Sequence, residues 1–156
     1  MVLDINQLIK KLEGERKGMV LVFTNGCFDI IHAGHCHYLE EARRLGDILV
    51  VGLNSDESVK RIKGKGRPII PQEQRAKVLS SLQPVDYVVI FNEDTPFELI
   101  RSIKPDVLVK GGDWSPENIV GKDFVESYGG KVVTIPFRYD VSTTSIVEKI
   151  IKTYCS

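Results

Sequence analysis

Apolar residues fall in five short runs along the chain, and helical spacing dominates the segments between them. The runs are 19–24, 48–53, 87–91, 107–109 and 131–135. The run 48–53 is apolar at nearly every position, which is typical of a parallel strand buried on both faces. Strands that alternate with helices predict an α/β fold: a single doubly wound, Rossmann-like domain with a five-stranded parallel sheet in the order 3-2-1-4-5.

The segments between the runs carry recognisable helix signals. Asp4 and Gln7 predict a capping box at the start of a first helix. Thr95 and Pro96 predict an N-cap and a first helical residue, and Pro105 predicts the end of that helix. Apolar spacing predicts further helices over 35–45 and 72–81, and a last helix after 142 with the stripe Ile146, Val147, Ile150 and Ile151. We therefore expect a lead-in with one helix at 1–18 and the main domain at 19–156.

Composition and charge argue against several classes of protein. The chain has 156 residues, with 21 Lys+Arg and 21 Asp+Glu, so charge balance gives no argument for binding nucleic acid or a membrane surface. No apolar run approaches the ~20 residues of a membrane span, and the N-terminus lacks a signal-peptide pattern. Three cysteines make no disulfide framework. These features predict a cytoplasmic protein without nucleic-acid or membrane partners.

The most informative stretch joins the first strand to the next helix and reads T-N-G-C-F-D-I-I-H-A-G-H, residues 24–35. A helix N-terminus attracts anions, and His32 and His35 lie three residues apart around Gly34, so both imidazoles can converge on one anion. Two alternatives stay open. The histidines are helix caps, or they join Cys36 and His37 in a zinc site, although no CxxC pair completes a zinc set.

Two further segments carry candidate phosphate ligands. Residues 58–67 contain five basic residues and two glycines, which predicts a mobile loop that brings Lys63, and with it Lys60, to a polyphosphate. The alternative is a solvated charged loop. Ser142, Thr143 and Thr144 begin the last helix and offer hydroxyl and N–H donors, although such a run is also typical of a simple cap.

Ligands of open parallel sheets lie at the carboxyl ends of the strands, near the point where the strand order reverses. That rule places Lys110-Gly-Gly-Asp-Trp114, after strand four, opposite residues 24–35. Gly111 and Gly112 let the backbone approach a planar base closely. Asn54 to Asp56, after strand two, are further candidates for a ligand contact.

These motifs resemble the HxGH signature of the cytidylyltransferase-like nucleotidyltransferase superfamily. The resemblance covers nearly the whole chain after residue 19. Within the superfamily the sequence is most similar to the adenylyltransferase domain of bacterial ADP-heptose synthases, on V-K-G-G-D-W at 109–114 and E-D-T-P at 93–96. The matches also include N-S-D at 54–56, K-G at 63–64, R-P at 67–68, E-Q-R at 73–75 and S-T-T at 142–144.

The resemblance implies a site and a reaction. AMP passes from ATP to D-glycero-β-D-manno-heptose 1-phosphate, giving ADP-heptose and pyrophosphate for the lipopolysaccharide inner core. His32, His35 and Lys63 are the expected catalytic residues, and Asp29, Asn54 and Asp56 are expected to bind the acceptor. The expected nucleotide and phosphate ligands are Thr24, Asn25, Gly26, Cys27, Phe28, Lys60, Arg75, Lys110, Gly111, Gly112, Asp113, Ser142, Thr143 and Thr144. Mg²⁺ is expected to arrive with ATP, without a tightly bound protein metal site.

One departure from the sequence pattern of the family changes which substrates are expected, and alternative functions stay open. Many relatives carry R-T-E-G-I-S-T-T before the last helix, whereas this chain has F-R-Y-D-V-S-T-T, so Arg138 is displaced by one residue and a cytidylyltransferase is less expected. The alternative enzymes act on glycerol 3-phosphate, ethanolamine phosphate or phosphopantetheine. A nucleotide-binding regulatory module is the non-catalytic alternative. The resemblance also implies a homodimer, with the sugar kinase on a separate chain.

Overall fold

A computed structural model describes residues 1–112 and 115–155 of the chain. Strands and helices alternate along it as expected. The elements are α1 (Ile5–Glu15), β1 (Leu21–Gly26), α2 (Ala33–Arg43), β2 (Ile48–Asn54), α3 (Asp56–Lys63), α4 (Gln72–Ser81), β3 (Tyr87–Phe91), α5 (Phe97–Ile103), β4 (Val107–Gly111), α6 (Lys122–Ser127), β5 (Lys131–Ile135) and α7 (Thr143–Tyr154), with a 3₁₀ turn at Pro116–Asn118.

The described strands form one parallel sheet in the order β3-β2-β1-β4-β5. The predicted fold class and strand order are therefore confirmed. β1 pairs with β2 along its whole length, but with β4 at two positions, Val22 with Val107 and Phe23 with Leu108. The backbone ladder stops there, although both strands continue, so a crevice begins between their carboxyl ends at the point where the strand order reverses.

Both faces of the sheet are covered, which explains why the central strands are apolar throughout. On one face, Leu8 and Leu12 of α1 and Ile100 of α5 pack with Phe23 and Val50. On the other face, Leu39 and Ala42 of α2 and Leu79 of α4 pack with Val22 and Val51. Every side chain in these two sets is almost completely buried. The helices that begin at the carboxyl edge of the sheet, and α2 in particular, are therefore held in place by a well-packed core.

The lead-in is tied to the same sheet. Asp4 and Gln7 form the predicted capping box of α1, and the backbone N–H of Leu3 donates to the carbonyl of Val88 in β3. The boundary between lead-in and domain at residue 18 stays a prediction, because α1 contributes to the common core. Within the described residues, no helix is both long and apolar enough to cross a membrane.

Two local predictions were wrong. Residues 56–63 form helix α3 where a mobile loop was expected, because Ser55 caps it, Asp56 and Glu57 occupy its first turn, and Gly64 ends it. Pro96 is the N-cap of α5, where Thr95 was expected, and makes no side-chain capping bond. The remaining loop between α3 and α4 is short and carries Gly64 and Gly66, both at positive φ.

Candidate active site

The connection after β1 contains strained backbone. Phe28 and Ile30 adopt φ of 47° and 49°, a region that is unfavourable for side chains with a Cβ and especially for a β-branched residue. Asp29 lies between them and is 2% exposed. Its carboxylate accepts hydrogen bonds from the backbone N–H groups of Ile69 (2.7 Å) and Ile70 (3.0 Å). These bonds hold the strained turn that delivers His32 to the start of α2.

Asp29 also accepts a hydrogen bond from Arg67 Nε at 3.3 Å. Its carboxylate therefore has three protein donors, and it is buried. Three donors and burial leave this carboxylate little capacity for a further ligand, and its expected contact with the acceptor stays a prediction. Its contacts instead make it a positioning residue for the signature connection.

His32 and His35 form the capping box of α2. Gly34 N–H donates to His32 Nδ1 at 3.1 Å, and His32 N–H donates to His35 Nδ1 at 3.2 Å. A nitrogen that accepts a hydrogen bond carries no proton, so each neutral imidazole has its proton on Nε2. The capping alternative is therefore correct for Nδ1, and it leaves Nε2–H of both rings to act as donors.

The two rings stack with centroids 3.8 Å apart. Burial lowers the pKa of His32 below its usual value. Burial, with the neighbouring His32, lowers the pKa of His35 to about 4, although Asp29 acts in the opposite direction. Near neutral pH both histidines are therefore uncharged donors.

A second helix begins beside α2. Ser142 caps α7 by accepting from the N–H of Ser145, and the Thr143 hydroxyl donates to the carbonyl of Asp29. Val141 lies 3.5 Å from the position of a Cβ built on Gly34, so the N-termini of α2 and α7 are neighbours. The hydroxyls of Ser142 and Thr143 are engaged within the protein. What this helix offers to a phosphate is its N-terminal N–H groups and the exposed Thr144.

Lysines add positive charge at the carboxyl edge of the sheet, where these helices begin. Lys63 interacts electrostatically with Cys27 in the signature connection and with Lys110 at the end of β4. Burial, and to a smaller extent the repulsion from Lys63, lowers the pKa of Lys110, and burial raises the pKa of the Cys27 thiol. Lys60 instead lies 4.0 Å from Glu57 on the exposed side of α3. These interactions place Lys63, more than Lys60, among the groups of the signature connection, and the catalytic and phosphate-binding roles of both lysines stay predictions.

Arg75 is buried among protein acceptors, and its expected contact with nucleotide phosphate stays a prediction. The side chain is 1% exposed. Its guanidinium donates to the carbonyls of Cys27 (2.7 Å), Asn54 (2.9 Å) and Ile70 (2.8 Å) and to the Asp56 carboxylate (2.8 Å). Arg75 therefore joins the signature connection, the end of β2 and the segment before α4.

Three other predicted ligands are also engaged within the protein. Thr24 is completely buried, and its hydroxyl contacts the carbonyl of Val109 and the hydroxyl of Tyr38. The Asn54 amide donates to Ser58 Oγ, and Asp56 is paired with Arg75. The hydroxyl of Thr24 is thus engaged within the protein, and the roles of Thr24 toward a nucleotide and of Asn54 and Asp56 toward an acceptor stay predictions.

A cleft that the sequence did not reveal lies beside the end of β4. It has a volume of about 70 Å³ and is lined by Asn25, Pro96, Leu108, Val109, Lys110, Asn118, Ile119 and Val120. Most of these lining residues are apolar. The E-D-T-P run at 93–96 supplies Pro96, but the contribution of 118–120 depends on how the chain returns to the sheet.

Glycines at the end of β4 border this region. Gly112 has φ of +90°, and a Cβ built there would lie 2.7 Å from the Phe137 ring. A Cβ on Gly111 would lie 3.0 Å from the Tyr38 ring. Both glycines thus give room to neighbouring aromatic side chains of the protein, and their expected close approach to a base stays a prediction. The predicted nucleotide ligand Asp113, together with Trp114, lies outside the described residues.

The remaining predicted ligands stay untested. Asn25, Gly26, Cys27 and Phe28 line the signature connection, and a Cβ on Gly26 would lie 2.9 Å from the Phe28 ring. The Arg138 guanidinium lies 5.9 Å from the centre of the Tyr139 ring in an exposed loop, and its role stays a prediction. Among the described side chains, no cluster of three or more His, Cys, Asp or Glu groups is arranged to hold a metal.

Comparison with known proteins identifies the family. The cytidylyltransferase-like family model matches residues 23–149. "Bifunctional protein HldE" of Syntrophotalea carbinolica is 58% identical over 139 residues, which are 89% of this chain and 28% of that protein. "Bifunctional protein HldE" of Geobacter metallireducens is 52% identical over 159 residues, covering 97% of this chain and 32% of that protein. The chain thus spans about a third of the length of these relatives.

Solved structures agree with the sequence match. The lipopolysaccharide core biosynthesis protein from Thermoplasma volcanium has a TM-score of 0.63 and 33% identity, covering 79% of this chain and 100% of that one. Pantoate-beta-alanine ligase from Francisella tularensis has a TM-score of 0.66 at 15% identity, covering 97% of this chain and 78% of that one, and shows a shared fold alone. The motif resemblance is confirmed, and the chain belongs to the cytidylyltransferase-like family of nucleotidyltransferases.

Proposed function

We propose that this nucleotidyltransferase transfers AMP from ATP to D-glycero-β-D-manno-heptose 1-phosphate, releasing pyrophosphate and forming ADP-heptose. One observation carries the chemistry: the stacked His32 and His35 turn two Nε2–H donors away from the helix they cap, beside the N-terminus of α7. The motifs at 93–96 and 109–114, with relatives 52–58% identical, support the choice of base and acceptor.

The reaction needs no protein nucleophile. An oxygen of the sugar phosphate attacks the α-phosphorus of ATP, and the bond to the bridging oxygen of the β-phosphate breaks. The phosphate of the acceptor is already ionised near neutral pH, so no general base is required. The protein's task is to align the reactants and to stabilise the charge that develops on the oxygens.

Each group of the site has a distinct part in this step. The neutral Nε2–H groups of His32 and His35 donate hydrogen bonds to the α-phosphate oxygens. Lys63, at the end of α3, provides an ammonium charge near the breaking bond. The first N–H groups of α7 and the Thr144 hydroxyl bind the β- and γ-phosphates.

Magnesium fits this scheme as a companion of ATP. The described acidic residue closest to the histidines in sequence, Asp29, is buried and satisfied by Arg67, Ile69 and Ile70, so it does not offer a ligand. We infer that Mg²⁺ is held by the triphosphate, where it neutralises charge. The residues described above would hold the nucleotide and not the ion.

The nucleoside is proposed to lie against Lys110, Gly111 and Gly112 and to extend toward the apolar cleft at Pro96 and Ile119. The acceptor would approach from the side of Asn54 and Asp56. A cytidylyltransferase acting on glycerol 3-phosphate or ethanolamine phosphate is the second candidate, since the phosphate-binding part of the site would be the same.

The test is pyrophosphate release with ATP or CTP, each combined with the heptose 1-phosphate, glycerol 3-phosphate, ethanolamine phosphate or phosphopantetheine. We expect rapid release with ATP and the heptose 1-phosphate alone. Preference for CTP, or for another acceptor, replaces the proposed substrates while keeping the enzyme class. No release with any pair, in a folded protein that binds nucleotide, favours a regulatory module.

The cellular setting is part of the same proposal. The product would serve the lipopolysaccharide inner core, and the enzyme would work in the cytoplasm as a homodimer. Sedimentation of the purified protein tests the oligomeric state.

A further inference from the structure

A side-chain bridge replaces the backbone ladder where β1 and β4 cease to pair. Thr24 Oγ1 lies 3.1 Å and Tyr38 Oη lies 3.2 Å from the carbonyl oxygen of Val109, and the two hydroxyls contact each other. Two protons serve these three contacts, so one hydroxyl donates to the other, which in turn donates to Val109. The bridge joins β1, α2 and β4 immediately past the last backbone pair, Phe23 with Leu108.

The Tyr38 ring supports the next part of β4. A Cβ built on Gly111 would lie 3.0 Å from a ring carbon, so the ring fills the space beneath the backbone that leads to Gly112. Burial raises the pKa of Tyr38, which keeps the phenol protonated and able to donate. Tyr38 therefore supports β4 at two points: its hydroxyl contacts the carbonyl of Val109, and its ring packs against the backbone at Gly111.

Tyr38 lies in α2 one turn after His35, so it connects the helix that carries the histidines to the strand that ends at Lys110–Gly112. We propose that Tyr38 is a positioning residue for nucleotide binding: its hydroxyl bridge and ring fix the Lys110–Gly112 segment relative to α2. This inference rests on the proposed nucleotide site. The histidines themselves are fixed separately, by their own capping box and by the contacts of Asp29.

That separation predicts a specific kinetic pattern. Tyr38→Phe keeps the ring beneath Gly111 and the hydrogen bond from Thr24 to Val109, but it removes the hydroxyl that ties α2 to β4, so the Lys110–Gly112 segment can shift against α2. We expect Kd and KM for ATP to rise about fivefold to tenfold, which corresponds to one lost positioning hydrogen bond. kcat at saturating ATP, and KM for the acceptor, should stay within about twofold because the reacting phosphates keep their donors.

Tyr128→Phe is the matched control. The Tyr128 hydroxyl donates to the carbonyl of Pro105, just before the amino end of the same strand, so its removal deletes an equivalent bond at the opposite edge of the sheet. Both variants should lower Tm to a similar extent. A purely structural role for Tyr38 would leave ATP binding equal in the two variants, whereas the proposal requires that Tyr38→Phe alone weakens it.

The experiment measures Kd for ATP by titration calorimetry, Tm, and pyrophosphate release for the wild type and both variants. Equal Kd values in Tyr38→Phe and the wild type overturn the inference, and so does equal weakening in Tyr128→Phe. If Tyr38→Phe does not fold, Thr24→Val removes the other hydroxyl of the bridge, with its contacts to Tyr38 and Val109, and the looser hold on β4 should again weaken ATP binding. A wild type that neither binds nor turns over ATP contradicts the proposed function instead.

Discussion

His32 and His35 are joined by a hydrogen bond from the backbone N–H of His32 to Nδ1 of His35, and both Nδ1 atoms cap α2. The same two side chains thus cap a helix through Nδ1 and, in the proposed function, bind the α-phosphate through Nε2. The two tasks use different nitrogens, and substitutions that keep one nitrogen position but not the other separate them.

His32→Asn should retain the cap and lose catalysis. The Asn side-chain oxygen reaches the position of Nδ1, and Asn is among the best N-cap residues, but nothing replaces the Nε2 donor. We expect kcat to fall roughly 10²-fold or more, as for other lost transition-state donors, with little change in stability. His32→Ala should lose the same activity and in addition about 1 kcal/mol of unfolding free energy.

Urea denaturation and pyrophosphate release measure the two effects separately. Turnover close to the wild type in a folded His32→Asn protein would exclude the donor role. Equal stability of the Asn and Ala variants would contradict the capping role.

His35 should make folding stability depend on pH below neutrality. Its pKa is lowered from 6.5 to about 4 in the folded protein, chiefly by burial. Between these values the unfolded chain binds a proton that the folded protein does not, so stability falls as pH decreases from 6.5 toward 4. Above 6.5 the contribution is constant.

The measurement is the free energy of unfolding at several pH values between 7 and 5, for the wild type and His35→Asn. The variant keeps a capping acceptor but has no titrating imidazole at this position, so its stability should decline less over this range. Parallel pH profiles would show that His35 has an ordinary pKa.

The strands show how much of the fold could be predicted from the sequence. A run such as 48–53 must be buried on both faces, and its alternation with helices indicated a doubly wound sheet, whose usual topology supplied the strand order and the position of the crevice. The histidine pair was also predictable, because its spacing around Gly34 is local. The prediction at 58–67 failed because Gly64 was interpreted as a sign of a loop, whereas it terminates a helix that Ser55 begins.

The roles of Asp29 and Arg75 were beyond the sequence for a different reason. Each is a charged residue that the resemblance assigned to a ligand, yet each is buried with several protein partners from distant segments. A charged side chain in a signature motif has the same appearance whether it binds a substrate or the backbone. Nothing in the sequence indicated a positioning role for Tyr38, since an aromatic residue at helical spacing is typical of a core position.

Arg75 is expected to be essential for folding. Arg75→Met leaves the carbonyls of Cys27, Asn54 and Ile70 without their guanidinium donor and leaves Asp56 unpaired. Loss of one partner of a buried, hydrogen-bonded charge typically costs ~3–5 kcal/mol, so we expect a loss of this size in chemical denaturation. Arg101→Met is the control, because its ion pair with Glu98 is exposed and should contribute less than about 1 kcal/mol.

Arg75→Lys tests how much of this stability depends on the several donors of the guanidinium group. Lysine keeps the charge but cannot reach four acceptors with one ammonium group, so it should recover only part of the stability. A fully stable Arg75→Met protein with weak ATP binding would restore the phosphate-contact role that the buried geometry argues against.

Lys63 should act on the chemical step. Its ammonium is most useful as charge develops on the leaving pyrophosphate, so Lys63→Ala should lower kcat by more than it raises Kd for ATP. Lys60→Ala is the matched control on the same helix, since Lys60 lies beside Glu57 at the surface. Single-turnover rates with saturating ATP, compared with equilibrium binding, separate the two effects. Loss of ATP affinity alone in Lys63→Ala would remove it from the chemical step.

Gly112 should determine nucleotide affinity through its lack of a side chain. Its φ is +90°, so Gly112→Ala strains the backbone, and the new Cβ must displace the Phe137 ring. Gly129 also has φ of +90°, but a Cβ there meets nothing within 4 Å. Gly129→Ala therefore introduces the same backbone strain, on the order of 1–2 kcal/mol, without a new contact.

The two alanine variants should have similar losses of Tm, but only Gly112→Ala should raise KM for ATP, by about tenfold, while KM for the acceptor stays within twofold. The reason is that β4 ends at Gly111, and the proposed nucleoside position adjoins Gly112 and the Phe137 ring that the new methyl group displaces. Steady-state kinetics with each substrate varied in turn make the comparison. A selective rise in KM for the acceptor would move the nucleoside away from this segment, and identical kinetics of the two variants would show that Gly112 only allows the chain to turn.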